Sequence, residues 1–369
     1  MRKLLVLSLV ISLLVPFSAQ GVEFGQDATG DPNAVRINGG FSGFLYSDRI
    51  VFTVAHGFDG SENWPNFGYV NAPGVKSTSD QKKYFIQKLL KAPNYRARLG
   101  TDNTRINDFA IIILSESIPI QNKVEVASPA DIESFIRDKA PVEMVGYGLQ
   151  SEAQRSETAA WKDRAPYKLT SVLVSGEELR RYYSSYPGLT PPNQTILDLG
   201  IPNNEKNGSV CDGDSGAGFF VQKSNVRYYL GAVGGSQAGI TNCNGSFTRF
   251  RPDGGMSGIT PTHKFLNLVK EAEDFVANEK RLEAAKEEAR VAAELKAKQE
   301  ADQRAKVEAE LKAKLEAEAK AAAELKAKQE AEAKAAAQKK TTITCIKGKL
   351  TKKVTAVKPK CPAGFRVKK

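Results

Sequence analysis

The segment Cys211-Asp-Gly-Asp-Ser-Gly-Ala-Gly218 is a glycine-rich turn that presents the hydroxyl group of Ser215. A serine hydroxyl is a poor nucleophile unless a neighbouring base takes its proton, and glycines let backbone N–H groups approach a reacting carbonyl oxygen. Taken alone, the turn is not diagnostic, because Gly-Asp-Ser-Gly also occurs in ordinary tight turns. Its meaning depends on whether the same chain supplies a base and a group that orients this base.

Two segments nearer the N-terminus supply these partners. A strand that leads to His56 is predicted by Phe52-Thr-Val-Ala-His-Gly57. Asp108 lies at the start of an apolar strand predicted by Asn107-Asp-Phe-Ala-Ile-Ile-Ile-Leu114. An imidazole with a pKa of about 6.5 is a suitable base, and a carboxylate fixes its tautomer and stabilises its charged form. The order histidine, aspartate, serine therefore predicts a catalytic set of His56, Asp108 and Ser215.

These segments resemble those of the chymotrypsin/trypsin-like serine peptidase family. Thr53-Val-Ala-His56 is similar to the family's Thr-Ala-Ala-His, Asp108-Phe-Ala-Ile-Ile to its Asp-Ile-Ala-Leu-Leu, and Gly213-Asp-Ser-Gly216 to its Gly-Asp-Ser-Gly. Other segments look like further parts of the family: Phe41-Ser-Gly-Phe-Leu-Tyr46, Gly146-Tyr-Gly148 and Gly245-Ser-Phe-Thr-Arg-Phe250. The resemblance implies a serine endopeptidase that works through an acyl-enzyme, in which the N–H groups of Gly213 and Ser215 hold the oxyanion.

The residue pattern of 22–275 by itself favours an all-β barrel or sandwich. Short apolar runs rich in Val, Ile, Phe and Tyr predict strands at 50–55, 109–114, 142–145, 169–174 and 228–233. A helix is predicted only at 260–271, where a threonine cap and an early proline precede an amphipathic run. The resemblance covers this whole region and implies two packed six-stranded antiparallel β-barrels with a C-terminal helix, with the site between the barrels.

The cysteines depart in part from the family pattern. Gly57 and Phe41 stand where the family has two cysteines beside the catalytic histidine, so that disulfide is absent. The resemblance implies a bridge between Cys211 and Cys243, which would hold the substrate pocket. Two free thiols are the alternative, although an exported chain favours the bridge.

The resemblance also assigns two residues to the primary specificity pocket. Ser209, six residues before the nucleophile, matches the base of the pocket, and Gly245 matches a wall glycine that leaves the pocket open. Because no acid stands at the base, we expect a neutral pocket that suits a large apolar or aromatic side chain rather than Arg or Lys. Asp212 at the rim is the alternative attraction for a cation.

Residues 1–21 are predicted to be a secretory signal peptide. Arg2 and Lys3 form a basic start, residues 4–15 are apolar, and Ala19-Gln-Gly21 offers small residues at the positions that a signal peptidase requires. An uncut membrane anchor is the alternative, but the apolar run is shorter than the roughly 20 residues that span a bilayer. The chain is therefore expected to be secreted or associated with the cell envelope.

Cleavage after Gly21 would make Val22 the first residue of the exported chain. In the resembled family, such a new N-terminus folds inward, and its ammonium pairs with the aspartate just before the nucleophile, which is Asp214 here. The resemblance thus implies an activation pair of Val22 and Asp214 without a propeptide. In the alternative, Val22 frays into solvent and Asp214 bonds elsewhere.

Residues 276–340 consist almost entirely of strong helix formers and contain neither Gly nor Pro. Glu and Lys recur at spacings that allow ion pairs along one helix, for example Glu294 with Lys298. We predict a single solvated helix that serves as a stalk. A low-complexity linker without a partner and a self-associating coiled coil are the alternatives, and the larger apolar residues are too sparse for a sustained heptad seam.

Residues 341–369 form a basic tail with a different composition. The segment Ile343-Thr-Cys-Ile-Lys-Gly-Lys-Leu-Thr-Lys-Lys-Val-Thr alternates around Gly348, which predicts a small hairpin that Cys345 and Cys361 could close. The tail holds nine Lys or Arg and no acid, whereas residues 1–275 are balanced, so it accounts for most of the net charge of +11. We expect it to adhere to anionic polymers of a cell envelope, with a solubilising role as the alternative.

Several classes of protein are excluded or disfavoured. The longest apolar run is too short for a polytopic membrane protein, and two histidines and four cysteines disfavour a His-rich metal protein and a disulfide-built miniprotein. We therefore expect protein or peptide substrates, no metal and no cofactor. A non-catalytic binding module with a peptidase fold is the alternative, and a nucleic-acid binder would rest on the tail alone, which has no aromatic residue beyond Phe365.

Overall fold

The computed structural model describes residues 22, 25–38, 40–60, 68–76, 81–96, 106–149, 164–185, 199–203, 208–238 and 255–369. The chain divides into two compact units, Met1–Lys280 and Arg281–Lys369. The predicted boundaries of the signal peptide, the peptidase region, the stalk and the tail stay predictions. Among the helices of the described ranges, none has both the length and the apolar character needed to cross a membrane.

Strands dominate the described part of the first unit. They are β1 (Gln26–Asp27), β2 (Ala34–Ile37), β3 (Phe41–Ser47), β4 (Ile50–Thr53), β5 (Tyr69–Asn71), β6 (Lys83–Lys91), β7 (Ala110–Leu114), β8 (Lys123–Val126), β9 (Pro141–Gly146), β10 (Tyr167–Val172), β11 (Val174–Ser175), β12 (Leu199–Asn203), β13 (Gly218–Lys223), β14 (Val226–Ala238) and β15 (Gly255–Pro261). The helices are α1 (Pro129–Arg137), α2 (Gly176–Ser184), two short 3-10 helices at His56–Phe58 and Thr262–Phe265, and α3 (Leu266–Ala337).

The first half of this unit is a closed barrel of six strands in the order β2-β3-β4-β7-β6-β5. Val35, Leu45, Val51 and Ile112 belong to the cluster that fills its interior. Every residue of β7 is buried, which explains why its sequence is a continuous apolar run rather than an alternating one. The first predicted barrel and its predicted strands at 50–55 and 109–114 are confirmed.

The second half is an open nine-stranded sheet. Eight strands follow the order β1-β10-β9-β13-β14-β15-β12-β11, and β8 pairs with β14 in parallel. The predicted strands at 142–145, 169–174 and 228–233 are confirmed, but a second closed barrel is not. The outermost strands β1 and β11 are two residues long, and within the described residues no pairing joins these two ends.

The all-β class is not confirmed either, because α3 runs without interruption for 72 residues. The prediction of a helix only at 260–271 within this region is also wrong, since α1 and α2 precede it; α1 starts at a capping box formed by Ser128 and Asp131. Residues 266–337 contain no Gly or Pro and are rich in strong helix formers, so nothing in the sequence stops the helix. Its first turns bury Val269 and Ala272 against a core that includes Phe109 and Phe265. The predicted closing helix and the predicted stalk are thus one helix, which starts later than residue 260 because Thr260 and Pro261 belong to β15.

The end of the chain forms a small three-stranded sheet. Strands β16 (Thr341–Lys347), β17 (Leu350–Ala356) and β18 (Arg366–Val367) pair in the order β17-β16-β18. The turn between β16 and β17 contains Gly348 at a φ of 59°, a conformation that glycine adopts without strain. A disulfide joins Cys345 to Cys361. The predicted hairpin around Gly348 and its closure by this disulfide are confirmed.

Candidate active site

Three elements of the first unit bring His56, Asp108 and Ser215 together. His56 opens the 3-10 helix that follows β4, and Asp108 lies two residues before β7. The ends of these strands are adjacent, because Thr53 in β4 pairs with Ala110 in β7. Ser215 lies in the loop that precedes β13. The His56 Nδ1 atom is 2.7 Å from Asp108 Oδ2, and its Nε2 atom is 3.1 Å from Ser215 Oγ.

The carboxylate of Asp108 fixes the orientation of the imidazole through two hydrogen bonds. Besides the contact between Oδ2 and Nδ1, its Oδ1 atom accepts a 2.9 Å hydrogen bond from the backbone N–H of His56. The Asp108 side chain is only 2% exposed, whereas that of His56 is 14% exposed. A carboxylate held in this way makes Nδ1 the donor and leaves Nε2 free to accept the proton of a serine hydroxyl.

The turn around Ser215 is held against the first barrel by hydrogen bonds that involve Ser42. The N–H of Ser42 donates to the carbonyl of Ser215 at 2.9 Å, and its hydroxyl donates to the carbonyl of Gly213 at 2.8 Å. Thr53 Oγ1 in turn donates to the carbonyl of Ser42 at 2.9 Å. Within the described residues, the N–H groups of Gly213 and Ser215 donate to no protein atom, so both remain able to donate to a ligand.

Glycine is required at two positions of this turn. Gly213 and Gly216 have φ angles of 94° and 87°, in the region that side chains disfavour. A Cβ atom on Gly216 would lie 2.2 Å from the carbonyl oxygen of Ser42. Gly216 could be replaced only by moving the turn away from the barrel, and this would displace Ser215.

Asp214 points its carboxylate into the protein. The side chain is fully buried and accepts hydrogen bonds from the N–H groups of Gly148 at 2.7 Å and Cys211 at 2.9 Å. Burial raises the pKa of Asp214 to about 7, although these two hydrogen bonds and the positive charge of Arg164 act in the opposite direction. Gly146 and Gly148 are tight against it, because a Cβ atom on either would lie within 2.5 Å of a carboxylate oxygen.

The guanidinium of Arg164 lies beside the same turn. Its Nη1 atom donates to the carbonyl of Tyr147 at 2.8 Å and would be 2.6 Å from a Cβ atom on Gly213. The Arg164 side chain is buried, and this burial lowers its pKa to about 10. Arg164 therefore brings a positive charge next to the turn that contains Ser215.

Val22 is fully buried in the core of the second sheet, in a cluster that includes Leu169 and Ala217. Ala217 follows Asp214 by three residues, and its N–H donates to the carbonyl of Asp214 at 2.8 Å. The part of the alternative in which Val22 extends into solvent is therefore wrong, whereas the part in which Asp214 bonds elsewhere agrees with its hydrogen bonds to Gly148 and Cys211. The activation pair of Val22 and Asp214 stays a prediction.

The place of the missing disulfide is filled by an aromatic ring. A Cβ atom on Gly57 would lie 2.6 Å from two ring carbons of Phe41, so the ring lies directly on the Gly57 backbone. Phe41 also packs edge-to-face against Phe58, with ring centroids 5.3 Å apart. Hydrophobic contact thus connects the two segments that the family joins covalently.

The remaining predicted residues are only partly described. Cys211 is disulfide-bonded and buried, but its predicted partner Cys243 lies outside the described residues. The wall glycine Gly245 and the rest of the segment 245–250 lie outside them as well. Ser209 is fully buried. Within the described residues, no group of three or more His, Cys, Asp or Glu side chains could hold a metal ion.

The sequence patterns do not indicate the roles of two hydroxyl side chains and one cation at this site, namely Ser42, Thr53 and Arg164. Thr53 belongs to the segment that indicated His56 as a site residue, but a threonine in an apolar strand usually only stabilises its sheet. Ser42 and Arg164 are separated in sequence from the residues they contact, and no local pattern indicates a buried partner. Strand pairing within each sheet positions Thr53 and Arg164, and the packing of the barrel against the second sheet positions Ser42, so these roles appear only in the folded chain.

A family model described as Trypsin matches residues 26–252. No curated protein matches the chain.

Proposed function

Because the chain belongs to the trypsin family, we propose that it is an active serine endopeptidase that hydrolyses peptide bonds through an acyl-enzyme. The observation that carries this proposal is the hydrogen-bonded series Asp108–His56–Ser215, with contacts of 2.7 Å and 3.1 Å. A general base within this distance of a hydroxyl can take its proton as the nucleophile attacks.

In the proposed mechanism, Ser215 Oγ forms a bond to the carbonyl carbon of the substrate while His56 Nε2 takes the hydroxyl proton. Asp108 stabilises the resulting imidazolium, which then donates this proton to the nitrogen of the leaving amine. The C–N bond breaks and the acyl group remains on Ser215. Water repeats the sequence with His56 as the base, which releases the acid product and restores the serine.

The N–H groups of Gly213 and Ser215 are proposed to donate to the oxyanion of each tetrahedral intermediate. Two properties of the turn support this role. Both N–H groups are unused within the described residues, and Ser42 holds the adjoining carbonyls of Gly213 and Ser215 in place. Donors that are fixed before the reaction need no reorganisation as the negative charge develops.

We also propose that the turn is completed by the N-terminus of the processed chain. The ammonium of Val22 would pair with Asp214 after cleavage following Gly21. The full burial of both residues and the raised pKa of Asp214 support this pairing, because a buried carboxylate gains from a nearby cation. N-terminal sequencing of the exported protein tests the cleavage site, and a first residue other than Val22 would contradict it.

For specificity, we propose a neutral pocket with Ser209 at its base and Gly245 in its wall. The absence of an acid at position 209 supports a preference for large apolar or aromatic side chains. Digestion of a peptide library tests this preference. Cleavage mainly after Arg or Lys would contradict it and would favour Asp212 as the group that attracts the substrate.

Export and retention at the cell envelope are further parts of the proposal. They rest on the features of residues 1–21 and on the nine cations of the tail. Binding of the full chain to isolated cell walls, compared with a chain that ends at Lys340, tests the role of the tail. Equal binding of the two chains at low salt would count against retention through the tail.

The peptidase activity itself is tested with casein. We expect the chain that begins at Val22 to hydrolyse casein and the Ser215→Ala variant to lose this activity. Ser134→Ala is the matched control, because Ser134 is a half-buried residue of α1 whose hydroxyl, among the described residues, bonds only to Asp138. Full hydrolysis by Ser215→Ala would remove Ser215 from its role, and a folded chain without any hydrolysis would favour a non-catalytic binding module.

A further inference from the structure

The small C-terminal sheet presents two faces of different character. Residues directly opposite each other in paired strands share a face, so the register assigns each side chain to one of them. One face, which we name the closed face, carries Cys345 with Lys352 and Val367 opposite it, and Lys347 with Leu350 opposite it. The other, which we name the open face, carries Thr342, Thr344, Ile346, Thr351, Lys353, Thr355 and Arg366.

The closed face is partly covered by the chain itself. Cys345 is fully buried and is bonded to Cys361 in the segment that returns from β17 to β18. The ammonium of Lys347 would be 3.0 Å from a Cβ atom on Gly364 in the same segment. This segment and its disulfide leave less of the closed face available to a partner.

The open face combines cations with hydroxyl groups and has no carboxylate. Lys353, Arg366, Thr342 and Thr355 are exposed, and the hydroxyls of Thr342 and Thr355 are 2.6 Å apart. Residues 341–369 contain no Asp or Glu, so no acid within this segment neutralises the cations. Lys368 extends the same surface, because its N–H donates to the carbonyl of Thr344 at 2.7 Å.

We propose that the open face binds a linear polymer of phosphodiester groups that carries no bases, such as a polyol phosphate chain. The Arg366 fork matches two oxygens of one phosphate, while lysine ammonium and threonine hydroxyl groups donate to the oxygens of its neighbours. Single-stranded nucleic acid fits less well, because its binding draws on aromatic side chains that stack with bases and the open face has none. This proposal is independent of the peptidase chemistry and narrows the envelope retention proposed above to one surface and one ligand chemistry.

Two double variants with the same net charge test this assignment. Lys353→Gln with Arg366→Gln removes two cations from the open face, and Lys347→Gln with Lys352→Gln removes two from the closed face. Both are made in the full chain, and formation of the Cys345–Cys361 disulfide, checked by mass spectrometry, reports that the tail has folded. The probes are purified polyglycerol phosphate, a (dT)20 oligonucleotide and polyglutamate, each titrated at low and moderate salt.

We expect polyglycerol phosphate to bind more tightly than the other two probes. The open-face variant should weaken this binding at least about tenfold, and the closed-face variant about twofold or less. Equal weakening by both variants would overturn the open face as the site and leave only net charge as the cause. Tighter binding of (dT)20 or polyglutamate would overturn the ligand chemistry, and no binding of any probe would overturn the proposed retention as well.

Discussion

An extra residue in front of Val22 should change how the stability of the folded chain depends on pH. Burial raises the pKa of Asp214 from 3.8 to about 7 where no ammonium pairs with it. Between these values the folded carboxyl keeps a proton that the unfolded chain has lost, so stability falls as the pH rises. A difference of about three pKa units corresponds to a loss of about 4 kcal/mol between pH 4 and 7. An ammonium at Val22 would lower the pKa of Asp214 and remove most of this loss.

The assay compares two chains made in a Ser215→Ala background, which prevents self-digestion. One begins at Val22 and the other carries an added glycine before it, and both are unfolded in urea at pH values from 4 to 8. Tryptophan fluorescence is a suitable signal, because both tryptophans belong to the first unit and not to the long helix. Between pH 4 and 7, we expect the extended chain to lose most of about 4 kcal/mol of stability that the shorter chain keeps, and Asp214→Asn to abolish this difference. The same pH dependence in both chains would refute the pairing of Val22 with Asp214.

Three further changes have expected outcomes. Asp108→Asn should lower kcat for peptide hydrolysis by about 10⁴ with an unchanged melting temperature, because an amide would hold His56 in the wrong tautomer; a loss below tenfold would contradict this role. Gly57→Ala should destabilise the first unit by about 1–3 kcal/mol in urea unfolding, because the new methyl group would clash with the ring of Phe41. Adding Phe41→Val to this variant should recover part of the lost stability by making room for the methyl group. No effect of Gly57→Ala would argue against the contact with the ring. Arg164→Met should lower the free energy of unfolding by about 1–3 kcal/mol, because the carbonyl of Tyr147 loses its hydrogen-bond donor. An unchanged unfolding midpoint would show that this contact contributes nothing to stability.

Local patterns in the sequence were sufficient to predict the first barrel and the turn that contains Ser215. The apolar run of β7 and the segment before His56 are each continuous in sequence. A local pattern therefore indicates both the strand and the site residue beside it. The prediction of a closed second barrel was not confirmed for a different reason. Whether a sheet closes depends on pairing between strands far apart in sequence, and the two-residue strands β1 and β11 carry no pattern of their own.

The helix boundary shows a similar limit. Thr260 and Pro261 form a good start signal for a helix, but both pair with β14 as the end of β15. Tertiary pairing therefore overrides the local preference and delays the helix to Leu266. Arg164 and Ser42 could not be predicted at all, since their partners are backbone carbonyls. The pairing of β9 with β10 brings Arg164 to Tyr147, and the packing of the barrel against the second sheet brings Ser42 to the turn of Ser215.

Covalent labelling shows whether His56 activates Ser215 as a nucleophile. The chain that begins at Val22 is treated with a fluorophosphonate and digested, and the modified residue is identified by mass spectrometry. We predict one adduct per chain, located on Ser215, and a large loss of labelling in His56→Ala. An adduct on another residue, or equally fast labelling of Ser215 in His56→Ala, would contradict this activation.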